Sequence, residues 1–224
     1  PAHHITTGEG GAVYTDHPKI AKIILSLRDW GRDCWCMPGM DNTCGKRFCQ
    51  QFASLPEGYD HKYVYTHLGY NLKATDMQAA IGLAQLEKLP EFTAKRKRNY
   101  EKLLFGLGRE WLDLPWLEPD HSEASPFGFL CIVKENAPFK RRDIVNHLEA
   151  KGIQTRMLFA GNLTKQPCFS HLQKGTDYRI VGSLENTDKI MERGFVLGVY
   201  PGLTDENVDY IVKTVNEFVE SKNA

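Results

Sequence analysis

The sequence predicts an α/β chain that closes in a small α+β domain, and three patterns carry that expectation. A glycine-rich opening leads into an amphipathic helix, a long charged helix bridges the middle, and beyond Trp111 short strands alternate with helices. The division expected from these patterns is 1–108 and 109–224, with the long helix as the link.

Thr6-Thr7-Gly8-Glu9-Gly10-Gly11-Ala12-Val13-Tyr14-Thr15 reads as a β-hairpin around a glycine turn. Ile20, Ile23, Ile24 and Leu27 recur at helical spacing after Pro18, which suits a first helical turn, and Gly31 ends that helix. Residues 32–65 have no period and read as one long loop, of the kind that is either functional or disordered. Thr75 and Asp76 cap a helix that Pro90 kinks or interrupts on its way to Leu107. Strands are expected over 127–133, 153–157 and 195–199, and helices over 141–151 and 184–193. A last helix follows Thr204-Asp205-Glu206, with Val208, Ile211, Val212, Val215, Phe218 and Val219 on one face.

Composition narrows the function classes. With 42% hydrophobic and 25% charged residues the chain is expected to be soluble and globular. Lys+Arg and Asp+Glu balance at 28 each without blocks of like charge, which argues against a nucleic-acid or membrane surface. No run of apolar residues is long enough to span a bilayer, so a cytoplasmic location is the default. The chain enters a motif almost at once, so it is expected to be a piece of a longer protein.

That motif is His3-His4 ahead of Thr6-Thr7-Gly8-Glu9-Gly10-Gly11. Taken bare it says little, because most histidines are structural and glycine pairs usually make turns. The whole string resembles the cofactor-lysine segment of the sugar aminotransferase family, Lys-x-x-Thr-x-x-Glu-Gly-Gly, with His3 at the lysine. The resemblance implies the C-terminal portion of a fold-type I PLP-dependent transferase, aspartate aminotransferase-like, with 1–108 from its large cofactor-binding domain. A lysine amine condenses with the cofactor aldehyde, whereas imidazole forms no such stable bond. An untethered cofactor is therefore implied, working as pyridoxamine phosphate through its free amine. Histidine's unperturbed pKa near 6.5 suits proton transfer at neutral pH, which makes His3 the candidate base and His4 its cofactor-side neighbour.

Leu68-Gly69-Tyr70-Asn71, Thr75-Asp76-Met77-Gln78-Ala79-Ala80-Ile81-Gly82 and Gln85-Leu86-Glu87-Lys88-Leu89 extend the resemblance. It implies that Asn71 reaches the cofactor phosphate of the partner subunit in a homodimer. By residue type alone, Asn71 reads as a turn residue.

Cys34, Cys36, Cys44 and Cys49 crowd together, and in a cytosolic chain such a cluster points to a metal before a disulfide. Chemistry alone leaves zinc, held by all four, level with an iron-sulfur cluster. The interval of one residue and then seven between Cys34, Cys36 and Cys44 resembles that of the CDP-4-keto-6-deoxyglucose 3-dehydrases of the same family. That likeness implies a 2Fe-2S cluster on these three cysteines and a fourth ahead of residue 1, with Cys49 outside the set.

Gly152-Ile153-Gln154-Thr155-Arg156 and Phe159-Ala160-Gly161-Asn162-Leu163 resemble the same branch's segment near the substrate, which makes Arg156 and Asn162 candidate substrate residues. Phe127 falls where aminotransferase relatives often carry histidine and is a third. By residue type, Arg156 could equally pair with a surface carboxylate, and Phe127 could be core.

The function so implied is C3 dehydration of a nucleotide-linked 4-keto-6-deoxyhexose, with electrons passed singly from a flavin iron-sulfur reductase through the cluster. The product would serve dideoxysugar and O-antigen synthesis. Two other readings stand beside it, a sugar aminotransferase-family protein without a cluster and a zinc-stapled non-catalytic domain. The family's pyridine-nitrogen aspartate and ring-stacking residue would precede residue 1, so activity from this piece alone is not expected.

Overall fold

The computed structural model describes residues 3–36, 39–115 and 123–223. Contacts divide the chain into two compact units, Thr6–Ala84 and Gln85–Ala224 with Pro1–Ile5.

In the first unit, helix α1 (Pro18–Arg28) begins on its proline as expected. The chain then reverses through Trp30 and Gly31, at φ 56° and 79°. Tyr70 and Leu72 donate their N–H groups to the carbonyls of Leu27 and Arg28, and the Tyr70 carbonyl accepts from Trp30. This zips the 70–72 segment onto the end of α1 and places Asn71 opposite Asp29. The approach is close enough to require glycine, since a Cβ on Gly69 would run into the backbone of Gly31, Leu27 and Trp30.

The hairpin expected over Thr6–Thr15 does not form. No ladder joins these residues among those described, and Val13 and Tyr14 are exposed. Thr7 Oγ1 and Gln78 Nε2 both donate to the Glu9 carbonyl, at 2.8 and 2.9 Å, and hold the segment in place of cross-strand bonds. Two short strands with no shared buried face gain too little to pair on their own.

The long loop is present as expected. Among the described residues from 34 to 64 the only helical piece is the 3-10 turn His61–Tyr63. Helix α2 (Asp76–Leu86) is capped reciprocally, Gln78 N donating to Thr75 Oγ1 at 3.3 Å and Thr75 N to Gln78 Oε1 at 2.8 Å.

Helix α3 (Leu89–Gly106) carries Pro90 in its first turn, so the proline starts a second helix rather than kinking one. Beyond it, strands β1 (Leu112–Asp113), β2 (Gly128–Val133), β3 (Thr155–Arg156) and β4 (Gly194–Gly198) form one sheet in the order β1-β2-β4-β3, every pair antiparallel. Helices α4 (Arg141–Ala150), α5 (Glu185–Arg193) and α6 (Asp205–Glu220) complete the unit. Phe129, Cys131 and Val133 alternate inward from β2 and meet Phe195, Leu197 and Val199 around β4. Ile144 and Leu148 of α4, Val208, Val215 and Phe218 of α6, and Leu103 of α3 close over them. The two residues of β1 are too few to show a period, and the sequence gives no sign of that strand.

Candidate active site

His3 and His4 belong to the second unit and are held differently. His4 Nε2 lies 2.6 Å from Ser125 Oγ and 3.1 Å from the Ser125 carbonyl. Burial, followed by the nearby Arg96 charge, holds its pKa below the ordinary value. His3 is fixed through its main chain, where its carbonyl accepts from Arg96 Nη2 at 3.2 Å. Its imidazole rests on Phe127 at 5.3 Å between centroids, and Phe127 in turn faces Phe159 at 6.0 Å. Among the described residues no hydrogen bond engages the His3 ring, which is exposed.

Phe159 sits at φ 48°, a left-handed conformation that a bulky side chain rarely adopts, and it is exposed. Such strain collects where a side chain is aimed for use. Arg156, at the end of β3, points its guanidinium along the chain, with Nη1 donating to the Thr155 carbonyl at 2.8 Å, and the residue is exposed. Asn162 is buried and committed: its Nδ2 donates to Asp188 at 2.7 Å, and its Oδ1 accepts from Thr164.

In the first unit, Cys34, Cys36 and Cys44 line one small recess with Asp41, Asn42, Arg47, His61 and Lys62. Hydrogen bonds from the Thr43 side chain and then the Cys44 backbone bring the Cys36 thiol down to about 6, whereas burial raises that of Cys34. The Lys46 N–H reaches Cys44 Sγ at 3.4 Å. The donors aimed at Cys36 favour its thiolate, the form in which a cysteine binds a metal group. Among the described residues no three Cys, His, Asp or Glu side chains converge to metal-holding geometry, and Cys49 is exposed, outside this lining.

Three residues here escaped sequence reasoning. His61 is buried in the recess, with Nε2 2.6 Å from Asp33 Oδ2 and its ring stacked on Phe52. Ser125 anchors His4. Arg96 stands in a run of four cations, Lys95-Arg96-Lys97-Arg98, and only its spacing to Asn99, Tyr100 and Leu103 marks it as facing inward.

A family model described as the DegT/DnrJ/EryC1/StrS aminotransferase family matches residues 1–216. The lipopolysaccharide biosynthesis protein RfbH of Salmonella typhimurium is 56% identical over 220 residues, covering 97% of this chain and 49% of that protein. The dTDP-4-dehydro-2,6-dideoxy-D-glucose 3-dehydratase of Saccharopolyspora spinosa is 52% identical over 220 residues, covering 98% and 46%. Among solved structures, the E. coli GDP-4-keto-6-deoxy-D-mannose-3-dehydratase with bound hydrated PLP aligns at a TM-score of 0.74 and 26% identity, covering 96% and 52%. The chain thus spans about half the length of these relatives, and the aminotransferase-like α/β fold expected from the sequence is the one it has.

Proposed function

Because the chain belongs to the DegT/DnrJ/EryC1/StrS aminotransferase family, we propose that it is part of an enzyme removing the C3 hydroxyl of a nucleotide-linked 4-keto-6-deoxyhexose. Two relatives are themselves named as 3-dehydratases of nucleotide-linked deoxysugars, and a third as a lipopolysaccharide biosynthesis protein. The observation that carries the reading is His3, an imidazole at the family's lysine position, with an uncommitted ring against Phe127.

This arrangement fits a vitamin B6 cofactor held without a covalent bond, since residues 1–18 contain no lysine to bind it and the His3 ring is free to move protons. Bound there, pyridoxamine phosphate would supply an amine for the substrate ketone and a conjugated ring able to hold the electron pair left by a departing methylene proton and to return it as hydroxide leaves C3. His3 takes a proton at a ring nitrogen. His4, tied to Ser125, keeps the segment in place on the cofactor side. Asn71 serves the cofactor phosphate across a homodimer. Arg156 binds a diphosphate or hydroxyl of the substrate, and Phe127 gives the apolar wall that excludes water from the reacting face. Asn162 shapes the substrate segment from beneath, through Asp188 and Thr164.

Cys34, Cys36 and Cys44 would supply three thiolates to a 2Fe-2S cluster, whose chemistry is one-electron transfer. A flavin iron-sulfur reductase is the partner suited to that chemistry, CDP is the nucleotide, and the cytoplasm is the compartment. The product is a 3-deoxy sugar for dideoxysugar and O-antigen synthesis.

The test uses the full-length protein. His3→Asn is expected to lower C3 hydroxyl release by about 10²- to 10⁴-fold while cofactor binding persists. Unchanged release overturns the role of His3. Iron and sulfide in equal amounts, with visible absorption after anaerobic purification, support the cluster, and stoichiometric zinc with a colourless protein overturns it.

A further inference from the structure

Arg96 is fully buried, a costly place for a guanidinium unless its donors are satisfied. Its Nη2 donates to the His3 carbonyl at 3.2 Å, and its Nη1 to the carbonyls of Pro126 and Phe127 at 3.4 and 3.5 Å. His3 and Phe127 are the two residues whose rings meet, so one planar group grips the backbone on both sides of that ring pair. Its own base is fixed, because Asn99, Tyr100 and Leu103 of the same helix are buried on the same face. Asn99 Nδ2 further donates to the Tyr200 carbonyl at 3.1 Å, tying α3 to the chain leaving β4.

We propose that Arg96 is a positioning residue that aims the His3 imidazole by clamping the main chains of His3 and Phe127 together. The proposal rests on the reading of His3 as the base. A guanidinium suits the task because its fork reaches separate carbonyls from one rigid plane, which a lysine ammonium cannot reproduce. Arg96 touches neither substrate nor cofactor in this role, and its effect passes through the angle and depth of the His3 ring.

The experiment compares Arg96→Met and Arg96→Lys with wild type in the full-length, cofactor-loaded protein, with thermal melts and cofactor absorbance confirming the fold. The first readout is steady-state kinetics. Misplacing a catalytic group by about 1 Å costs on the order of 10²-fold, so Arg96→Met should lower kcat about 10- to 100-fold. KM should stay within about twofold, as expected when ground-state binding is spared. Arg96→Lys should recover part of the loss. The second readout is independent of turnover: the Hε1 resonance of His3, identified by its loss in His3→Asn, carries a ring-current shift from Phe127. It should move in both Arg96 variants while that of His147, packed on Phe218, stays. If Arg96→Met fails to fold, Arg96→Lys carries both readouts alone. A folded variant with wild-type kcat and an unmoved His3 resonance overturns the proposal. Wild-type turnover by His3→Asn would sink the base assignment instead, and the resonance would still decide whether Arg96 aims the ring.

Discussion

His61 and Cys44 face each other with Nδ1 and Sγ 3.9 Å apart, while the other imidazole nitrogen lies 2.6 Å from Asp33 Oδ2. The ring is only 3% exposed and stacks on Phe52, so it fastens the two ends of the cysteine loop to one buried point. His61→Ala removes both the stacking and the partner of Asp33. Unfolding free energy is expected to fall by about 1–3 kcal/mol. Denaturant melts measure it, and limited proteolysis should show faster cutting between Asp33 and His61. A wild-type melt would contradict the anchoring role.

The two neighbouring thiols of the recess are pushed in opposite directions, Cys36 down to about 6 and Cys34 upward. At pH 7 in metal-free protein, Cys36 is therefore mainly thiolate and Cys34 is not. Brief alkylation at pH 7 should label Cys36 before Cys34, with the Cys36 rate half-maximal near pH 6. Thr43→Val removes the largest cause and should move that midpoint upward. Peptide mass spectrometry reads both, and equal labelling of the two thiols refutes the assignment.

Gly69 lies so close to the α1 terminus that a methyl group has no room there. Gly69→Ala should push the 70–72 segment away from Leu27 and Arg28 and cost about 1–3 kcal/mol. In the full-length protein the displaced Asn71 should weaken retention of the cofactor, followed by dialysis and absorbance. Retention equal to wild type would separate Asn71 from the phosphate.

His4 has a folded-state pKa depressed below 6.5, with burial first among the causes and Arg96 second. The neutral ring is the form the fold favours, so its contribution to stability is present above about pH 6.5 and is lost as pH falls through the folded value. An NMR titration of the folded protein should place the His4 midpoint below 6.5. A midpoint at or above that value contradicts the packing around Ser125.

Legibility in the sequence followed the length of the pattern. Helix α6 announces itself because Val208, Ile211, Val215 and Phe218 repeat over about three turns, whereas β1 offers only Leu112 and Asp113. The glycines at 8, 10 and 11 were informative about backbone freedom and silent about pairing, hence the absent hairpin. At the site, His3 and the cysteines stood out by residue type against a family motif. Ser125, His61 and Arg96 act through folding neighbours far away in sequence, and their types are common on any surface. Asn162 stands out in the sequence only through the family-like segment around it, and its bonds to Asp188 and Thr164 become visible only once the chain is folded.

Helix α3 plants Leu103 in the hydrophobic interior and Arg96 beneath His3 two turns earlier, on one stiff rod. With His3 as the proposed base, loosening of the interior under α6 would tilt its ring before the domain melts. On that proposal, turnover of the full-length protein should fade on heating ahead of global unfolding, an early thermometer of packing far from the His3 ring.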